Sequence, residues 1–379
     1  MRRTNATPSV DHVLMTVDAV GGVWTYALDL ARALGERGVR VSLAVMGPAP
    51  SAAHREELAS IPTAAMHECS CALEWMDDPW VDVDRAGEWL LALERTLRPD
   101  VVHLNGYCHA GLPWQAPVLV AGHSCVLSWW RVVHAADAPA AWDTYMERVA
   151  DGLRAADLVV APTAAMLSML AFHYGPLGRS RVISNGRYSS GRAPMPLSAR
   201  DPIVLTAGRL WDPAKNVESV AAVAPHLSWP LYIAGDSRHP SGSDGADSSG
   251  AFEAVRYLGR LAPRELASWM ARAAIYALPA RYEPFGLSVL EAALAGCALV
   301  LGDIPSQREI WGDAALYVPP DNHRALISAI ERLAHDDEFR QQLASRSRAR
   351  AAELTPHRMA DAYYAAYVDL LRELLPMTA

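Results

Sequence analysis

An apolar run from Asp11 to Val17 meets the paired glycines Gly21-Gly22 and passes directly into a stretch carrying Trp24, Ala27, Leu28, Ala31 and Leu34 on one helical face, ended by Gly38. A buried strand, a glycine turn and a helix in that order are the opening unit of a doubly wound parallel sheet, in which ligands lie at the carboxyl ends of the strands. The same alternation continues. Strands are expected at Arg40–Val45, Asp100–Leu104, Pro117–Ala121, Asp157–Ala161 and Arg181–Ser184. Helices are expected at Ala86–Leu97, in a stretch ending near Ala155, and at Thr163–Tyr174. Between Val45 and Trp80 the pattern is less regular. A second series begins at Ile203–Thr206 and repeats through Leu231–Ala234, the segment from Tyr257 to Leu261, the helix Pro263–Ala273, and the strands Ile275–Leu278 and Ala298–Leu301. Three helices follow, at Asn322–His335, Glu338–Glu353 and Pro356–Leu375. At 379 residues the chain is long for one core, so the two series read as two α/β domains.

The Ser-, Pro-, Gly- and Arg-rich stretch Tyr188–Pro202 reads as the linker between them. Domains are therefore expected at 1–187 and 203–355, with 188–202 joining them and 356–379 forming a terminal helix. Gly235–Gly250, nearly all Gly, Ser, Asp, His and Pro, cannot build a core and reads as a loop. A net charge of −8 argues against nucleic acid as a partner, because phosphate binding needs a basic face. No apolar run is long enough to span a membrane, and Met1-Arg2-Arg3 leads into polar residues, so a cytoplasmic protein is expected. Arg340, Arg346, Arg348 and Arg350 form a basic stretch; a solvated helix face is the expectation, with peripheral contact at the inner face of a membrane left open. The five cysteines suit reduced thiols, and His67, Cys69 and Cys71 lack a second ligand pair, so no metal site is read from them. Asp82-Val-Asp84 has the form of a metal-binding D-x-D motif, yet it immediately precedes a helix, where acids stabilise the N-terminus.

Chemistry concentrates in the second series. Glu283 and Glu291 bracket a Pro-Phe-Gly turn that opens a helix, with Leu287, Leu290, Leu294 and Ala295 at helical spacing. Eight residues of helix separate two groups by about 12 Å, the reach of a sugar joined through a diphosphate to a ribose. Backbone N–H groups at that helix start lack intrahelical partners and suit an anion. Lys215 is the sole lysine in a chain that uses arginine for every other basic role, which marks it for chemistry that wants a compact point charge. It lies with Arg209 in Ala-Gly-Arg-Leu-Trp-Asp-Pro-Ala-Lys-Asn. In the first series His123 sits in Gly122-His123-Ser124, at the carboxyl end of a strand, where function concentrates.

Glu-Pro-Phe-Gly-Leu-Ser-Val-Leu-Glu-Ala from Glu283, the segment Met15–Tyr26, the turn Val182-Ile-Ser-Asn-Gly-Arg187 and the Arg209/Lys215 segment together resemble the family 4 retaining glycosyltransferases, the glycosyl transferases of group 1. The resemblance covers nearly the whole chain and is weakest between residues 48 and 98. It implies the GT-B fold: two Rossmann-like doubly wound domains facing each other across a cleft, with the last helix crossing back to the first domain.

It further implies transfer of a hexose from a UDP- or GDP-sugar to an acceptor hydroxyl, assisted by the departing phosphate and with neither metal nor other cofactor. Implied catalytic residues are His123, Arg209, Lys215 and Glu283. Implied donor contacts are Gly21, Gly22, Arg209, Lys215, Glu283, Pro284, Phe285, Gly286, Leu287 and Glu291. Asn105, Trp129, Trp130 and Arg131 are the acceptor candidates, although packing is the ordinary role of at least one of the tryptophans. Asp303 stands where the family usually carries small residues. The partners implied are a nucleotide sugar and a carbohydrate, lipid-linked or small-molecule acceptor. An epimerase or phosphorylase of the same architecture, and a non-catalytic binding subunit, are the rival readings.

Overall fold

The computed structural model describes residues 8–189, 196, 199–236 and 255–374, and the chain divides into two compact units. The first comprises residues up to Ser128, Asp137–Gly186 and the segment from Pro356. The second comprises Trp129–Ala136 and Arg187–Thr355. In chain order the elements of the first unit are β1 (His12–Asp18), α1 (Gly22–Gly35), β2 (Arg40–Gly47), α2 (Ala52–Ala59), β3 (Ala64–Ser70), α3 (Trp80–Leu97), β4 (Val101–Leu104), β5 (Val118–Ala121), α4 (Val126–His134, shared with the second unit), α5 (Asp143–Ala155), β6 (Leu158–Ala161), α6 (Ala164–Tyr174) and β7 (Ser180–Val182). The second unit continues with β8 (Asp201–Ala207), α7 (Val217–Val223), β9 (Leu231–Ala234), β10 (Val255–Gly259), α8 (Pro263–Arg272), β11 (Ala273–Leu278), α9 (Leu287–Ala295), β12 (Ala298–Gly302), α10 (Pro305–Trp311), β13 (Leu316–Val318), α11 (His323–His335) and α12 (Asp337–Ala351). α13 (Pro356–Leu374) belongs to the first unit.

Both sheets are wholly parallel. Their orders, β3-β2-β1-β4-β5-β6-β7 and β10-β9-β8-β11-β12-β13, each reverse direction beside the first strand. Such a reversal opens a crevice at the strands' carboxyl ends, between β1 and β4 in one unit and between β8 and β11 in the other. The central strands are buried along nearly their whole length, as parallel strands covered on both faces must be.

Three differences from the sequence reading have local causes. The region called less regular holds α2 and β3: Ser51 caps α2, accepting the His54 N–H, and β3 pairs with β2 along seven residues. As an edge strand β3 alternates between partly buried and exposed positions, so it lacks the continuous apolar run that marks its neighbours. The single helix expected to end near Ala155 is two, α4 and α5, separated by a turn at Ala140–Trp142. Asp82 and Asp84 lie inside α3 and not before it; Asp82 accepts the Ala72 N–H and Asp84 pairs with Arg148. Most of the expected linker and nearly all of the Gly235–Gly250 loop fall outside the described residues.

α13 packs along α1. Tyr363 and Tyr367 are both fully buried there, and the Tyr367 hydroxyl meets His103 Nδ1 at 2.6 Å while the Tyr26 hydroxyl lies 3.3 Å from Nε2. Ion pairs Arg181–Asp369, Arg179–Glu373 and Arg37–Asp361 flank this contact. No helix among the described residues is long and apolar enough to cross a membrane. Three of the four arginines of the basic stretch are engaged: Arg340 with Asp337, Arg346 with Asp313 and Arg350 with Glu353.

Candidate active site

The crevice of the second sheet lies between the loops that follow β8 and β11. After β8 the chain runs through Gly208-Arg209 and a short turn, Pro213–Lys215, whose Asp212 accepts the Ala214 N–H. After β11 it runs through Glu283-Pro284-Phe285 to Gly286, the residue before α9, which has φ +92 and so needs glycine. Lys215 Nζ and Glu283 Oε2 meet across the crevice at 2.5 Å, with only 15% and 11% of their side chains exposed. Glu283 is fixed from below, since the Ser306 hydroxyl and Gln307 amide of α10 both donate to its carbonyl and Gln307 also donates to the Phe285 carbonyl.

Arg209 is more open, at 44% exposed. Its guanidinium pairs with Asp212 at 2.8 Å and stacks on Trp211 at 5.1 Å. Burial alone would raise the pKa of Asp212. The charges of Arg209 and Lys215, with hydrogen bonds from the Trp129 indole (2.9 Å) and the Ala214 N–H, outweigh it and hold the carboxyl below its ordinary value. At the other end of the segment, inside α9, Glu291 pairs with Arg187 at 2.7 Å, both about a quarter exposed. Three cation–carboxylate pairs, Lys215–Glu283, Arg209–Asp212 and Arg187–Glu291, thus accompany the uncapped N–H groups that open α9.

Individual expectations fare differently. Glu283 and Lys215 are brought together, with Arg209 joined to the same loop through Asp212. Glu291 stands apart with Arg187, which the sequence reading quoted only as part of a turn. Of the two expected as donor contacts, Phe285 has its side chain buried in the core and Leu287 is partly buried against that core. Pro284 is half-buried in the same loop. Trp129 is engaged with Asp212, and Trp130 lies against Trp129 and His134, which leaves Arg131 as the exposed member of that trio. Asp303 is exposed and paired with both ends of the Arg308 fork.

In the first unit, Gly21 and Gly22 open α1. Gly21 is extended, at φ −161, and no side chain caps the helix. Asn105 follows β4. Its amide nitrogen donates to the Thr16 carbonyl (2.6 Å), which turns its Oδ1 toward His123 Nε2 at 2.8 Å. Asn105, expected at the acceptor, thus has its amide engaged by Thr16 and His123. That bond fixes a tautomer with the proton on Nε2, and burial lowers the His123 pKa to about 4, so the ring is neutral at physiological pH with Nδ1 as an acceptor. The Tyr26 ring supports it edge-on at 4.4 Å. His103, Tyr26, Asp212, Arg187, Ser306 and Gln307 escaped the sequence reading, because nothing local marks a residue whose role is to hold another.

Residues 20–187 match the family model for Glycosyltransferase Family 4, and residues 201–336 that for Glycosyl transferases group 1. The chain is 29% identical over 282 residues to a glycogen synthase of Mycobacterium tuberculosis, a match that takes in 69% of this chain and 66% of that protein, just under two thirds of its length. It is 33% identical over 101 residues to the O-antigen chain mannosyltransferase B of Escherichia coli, covering 27% of this chain and 26% of that protein. Among solved structures, sucrose-phosphate synthase from Thermosynechococcus elongatus superposes with a TM-score of 0.78 over 96% of this chain and all of that one, at 19% identity, a likeness of fold.

Proposed function

Because the chain belongs to the family 4 glycosyltransferases, the group 1 class of GT-B fold, we propose that it transfers a hexose from a nucleoside diphosphate sugar to an acceptor hydroxyl, with retention of configuration and without a metal ion. The observation that carries this reading is the Lys215–Glu283 pair in the crevice of the second sheet. An ammonium has three donors, and Glu283 takes one. The others, with Arg209 and the N–H groups opening α9, suit a diphosphate and would stabilise the charge that grows on it as the sugar leaves. Glu283 keeps acceptor capacity for sugar hydroxyls, and Glu291, steadied by Arg187, suits a ribose diol. The neutral His123 can accept a hydrogen bond from a sugar hydroxyl through Nδ1. The acceptor proton passes to the phosphate oxygen released when the glycosidic bond breaks, so the new bond forms on the face the diphosphate leaves.

The test is incubation of the purified protein with UDP- and GDP-hexoses and a panel of acceptors, with the anomeric configuration of the product read by NMR before and after EDTA treatment. An α-linked product from an α-linked donor, formed at an unchanged rate in EDTA, is expected. An inverted product, or activity lost to EDTA and restored by a divalent ion, refutes the proposal.

A further inference from the structure

Next to His123 the first unit holds a run of polar aromatic side chains that the proposed chemistry leaves unused. β4 supplies one of them, His103, and Asn105 follows just beyond the strand's end. Residues two apart along a strand face the same side, so both point toward His123. Asn105 reaches it directly, through the 2.8 Å bond to Nε2. His103 reaches it by way of Tyr26, on α1: the Tyr26 hydroxyl lies 3.3 Å from His103 Nε2, and the Tyr26 ring stands edge-on to the His123 ring at 4.4 Å. On the far side of His103 comes α13, whose Tyr367 hydroxyl meets Nδ1 at 2.6 Å and whose Tyr363 ring lies 5.0 Å from the imidazole.

Tyr26, His103, Tyr363 and Tyr367 are each 1% exposed or less, while His123 keeps part of its surface. Burying four polar groups in a space that leucine or phenylalanine could fill adds little stability, since each group must exchange water for a protein partner. What hydrogen bonds add is direction, which apolar packing does not supply. With both ring nitrogens engaged, His103 is fixed between α1 and α13, and it fixes in turn the hydroxyl end of Tyr26. The bond from Asn105 keeps the His123 nitrogens from exchanging places but leaves the ring free to tilt about that contact. A wall at 4.4 Å removes the tilt. A histidine that is to present Nδ1 to a sugar hydroxyl needs both constraints, because small misplacements of a reacting or orienting group cost large factors in rate.

We propose that Tyr26 and His103 are positioning residues for the transfer reaction, and that Tyr367, by holding His103, makes the last helix part of the apparatus that aims His123. The inference rests on the glycosyltransferase reading, in which His123 faces the transferred sugar.

The test combines turnover with a direct view of His123. Tyr26→Leu removes the wall, Tyr26→Phe keeps it and removes the hydroxyl, and Tyr367→Phe loosens His103 from α13. With the donor and acceptor that the native chain turns over, kcat should fall about tenfold in Tyr26→Leu and about threefold in the two phenylalanine variants, with diphosphate affinity unchanged. In a His123→Ala background the same substitutions should cause no further loss, because their effect passes through the missing ring; losses that multiply overturn the proposal. The second readout is nitrogen NMR of the full chain carrying isotopically labelled histidine. Native His123 should show the tautomer protonated on Nε2. In Tyr26→Leu its two nitrogen signals should move toward a mixture of tautomers, and in the phenylalanine variants by less in the same direction. Native kcat in all three variants overturns the proposal, and so does a fall in kcat with the His123 signals unmoved, which would mean that these groups only hold the fold. If Tyr26→Leu does not fold, the phenylalanine variants, which keep the packing volume, carry both readouts. A native chain that transfers from no nucleotide sugar strikes the glycosyltransferase reading instead, and the nitrogen signals then decide the positioning alone.

Discussion

Replacing Glu283 by glutamine keeps its shape and one carbonyl acceptor while removing the charge that faces Lys215. The pair is 2.5 Å long, and its two side chains are 15% and 11% exposed. Breaking a fully buried pair from one side costs about 3–5 kcal/mol, and a hydrogen bond to a charged group is worth about 1.5–3 kcal/mol. Because both groups keep some solvent and the amide still accepts a bond, the loss should lie near the lower range, about 2 kcal/mol. For a domain of this size that is a fall of about 4–8 °C in the transition of the second unit.

A nucleoside diphosphate then has the opposite effect. Its phosphates supply the negative charge that Lys215 has lost, so the variant should bind the diphosphate about tenfold more tightly, or about 1.4 kcal/mol, while affinity for the intact nucleotide sugar gains less because a sugar contact is weakened. Thermal unfolding with and without diphosphate, and calorimetric titration with both ligands, read these quantities. Lys215→Met alone should also destabilise, and the double variant should recover at least about 1 kcal/mol relative to the sum of the singles. Additivity within about 0.5 kcal/mol, or diphosphate affinity that falls in Glu283→Gln, would refute the argument that this pair is the charge centre of the crevice.

Burial lowers the pKa of His103 to about 3, so this histidine stays neutral in the folded chain while its unfolded counterpart protonates near 6.5. The unfolded state then binds more protons, and stability present above pH 6.5 is lost as pH falls, by about 2 kcal/mol at pH 5 from this residue. Denaturant titrations at pH 7 and pH 5 should show that loss in the native chain and a smaller one in His103→Asn, and equal losses would refute it. Tyr367→Phe removes the hydroxyl that meets His103 and should cost about 1–3 kcal/mol, read as a lower denaturation midpoint; an unchanged midpoint removes this bond from the account of how α13 is held. Asn105→Ala should slow transfer by about tenfold or more with diphosphate affinity unchanged, and a matching loss of affinity would mean that His123 is not the residue it positions. If Glu291 meets the ribose as proposed, Arg187→Met, which removes its ion-pair partner, should weaken nucleotide sugar and free diphosphate equally; a selective loss of the sugar nucleotide would contradict that assignment.

The strands were legible where burial on both faces forces an unbroken apolar run, as in β1, β8 and β12, and illegible in β3, whose edge position lets Glu68 and Ser70 face solvent. Lys215 and the helix that Gly286 opens were legible as local features, because a lone lysine and a glycine before a helix stand out by residue type and position. The pairings of the site were not. A sequence places Lys215 and Glu283 sixty-eight positions apart, and only the reversal of strand order between β8 and β11 brings their loops to one crevice. Once they share it, charge decides the outcome, because opposite charges with so little exposure meet each other rather than remain unpaired. The same reasoning reaches residues with no motif at all. Glu74 comes from the stretch where the sequence was least readable, yet it meets the backbone after β4 because the N–H groups there need an acceptor.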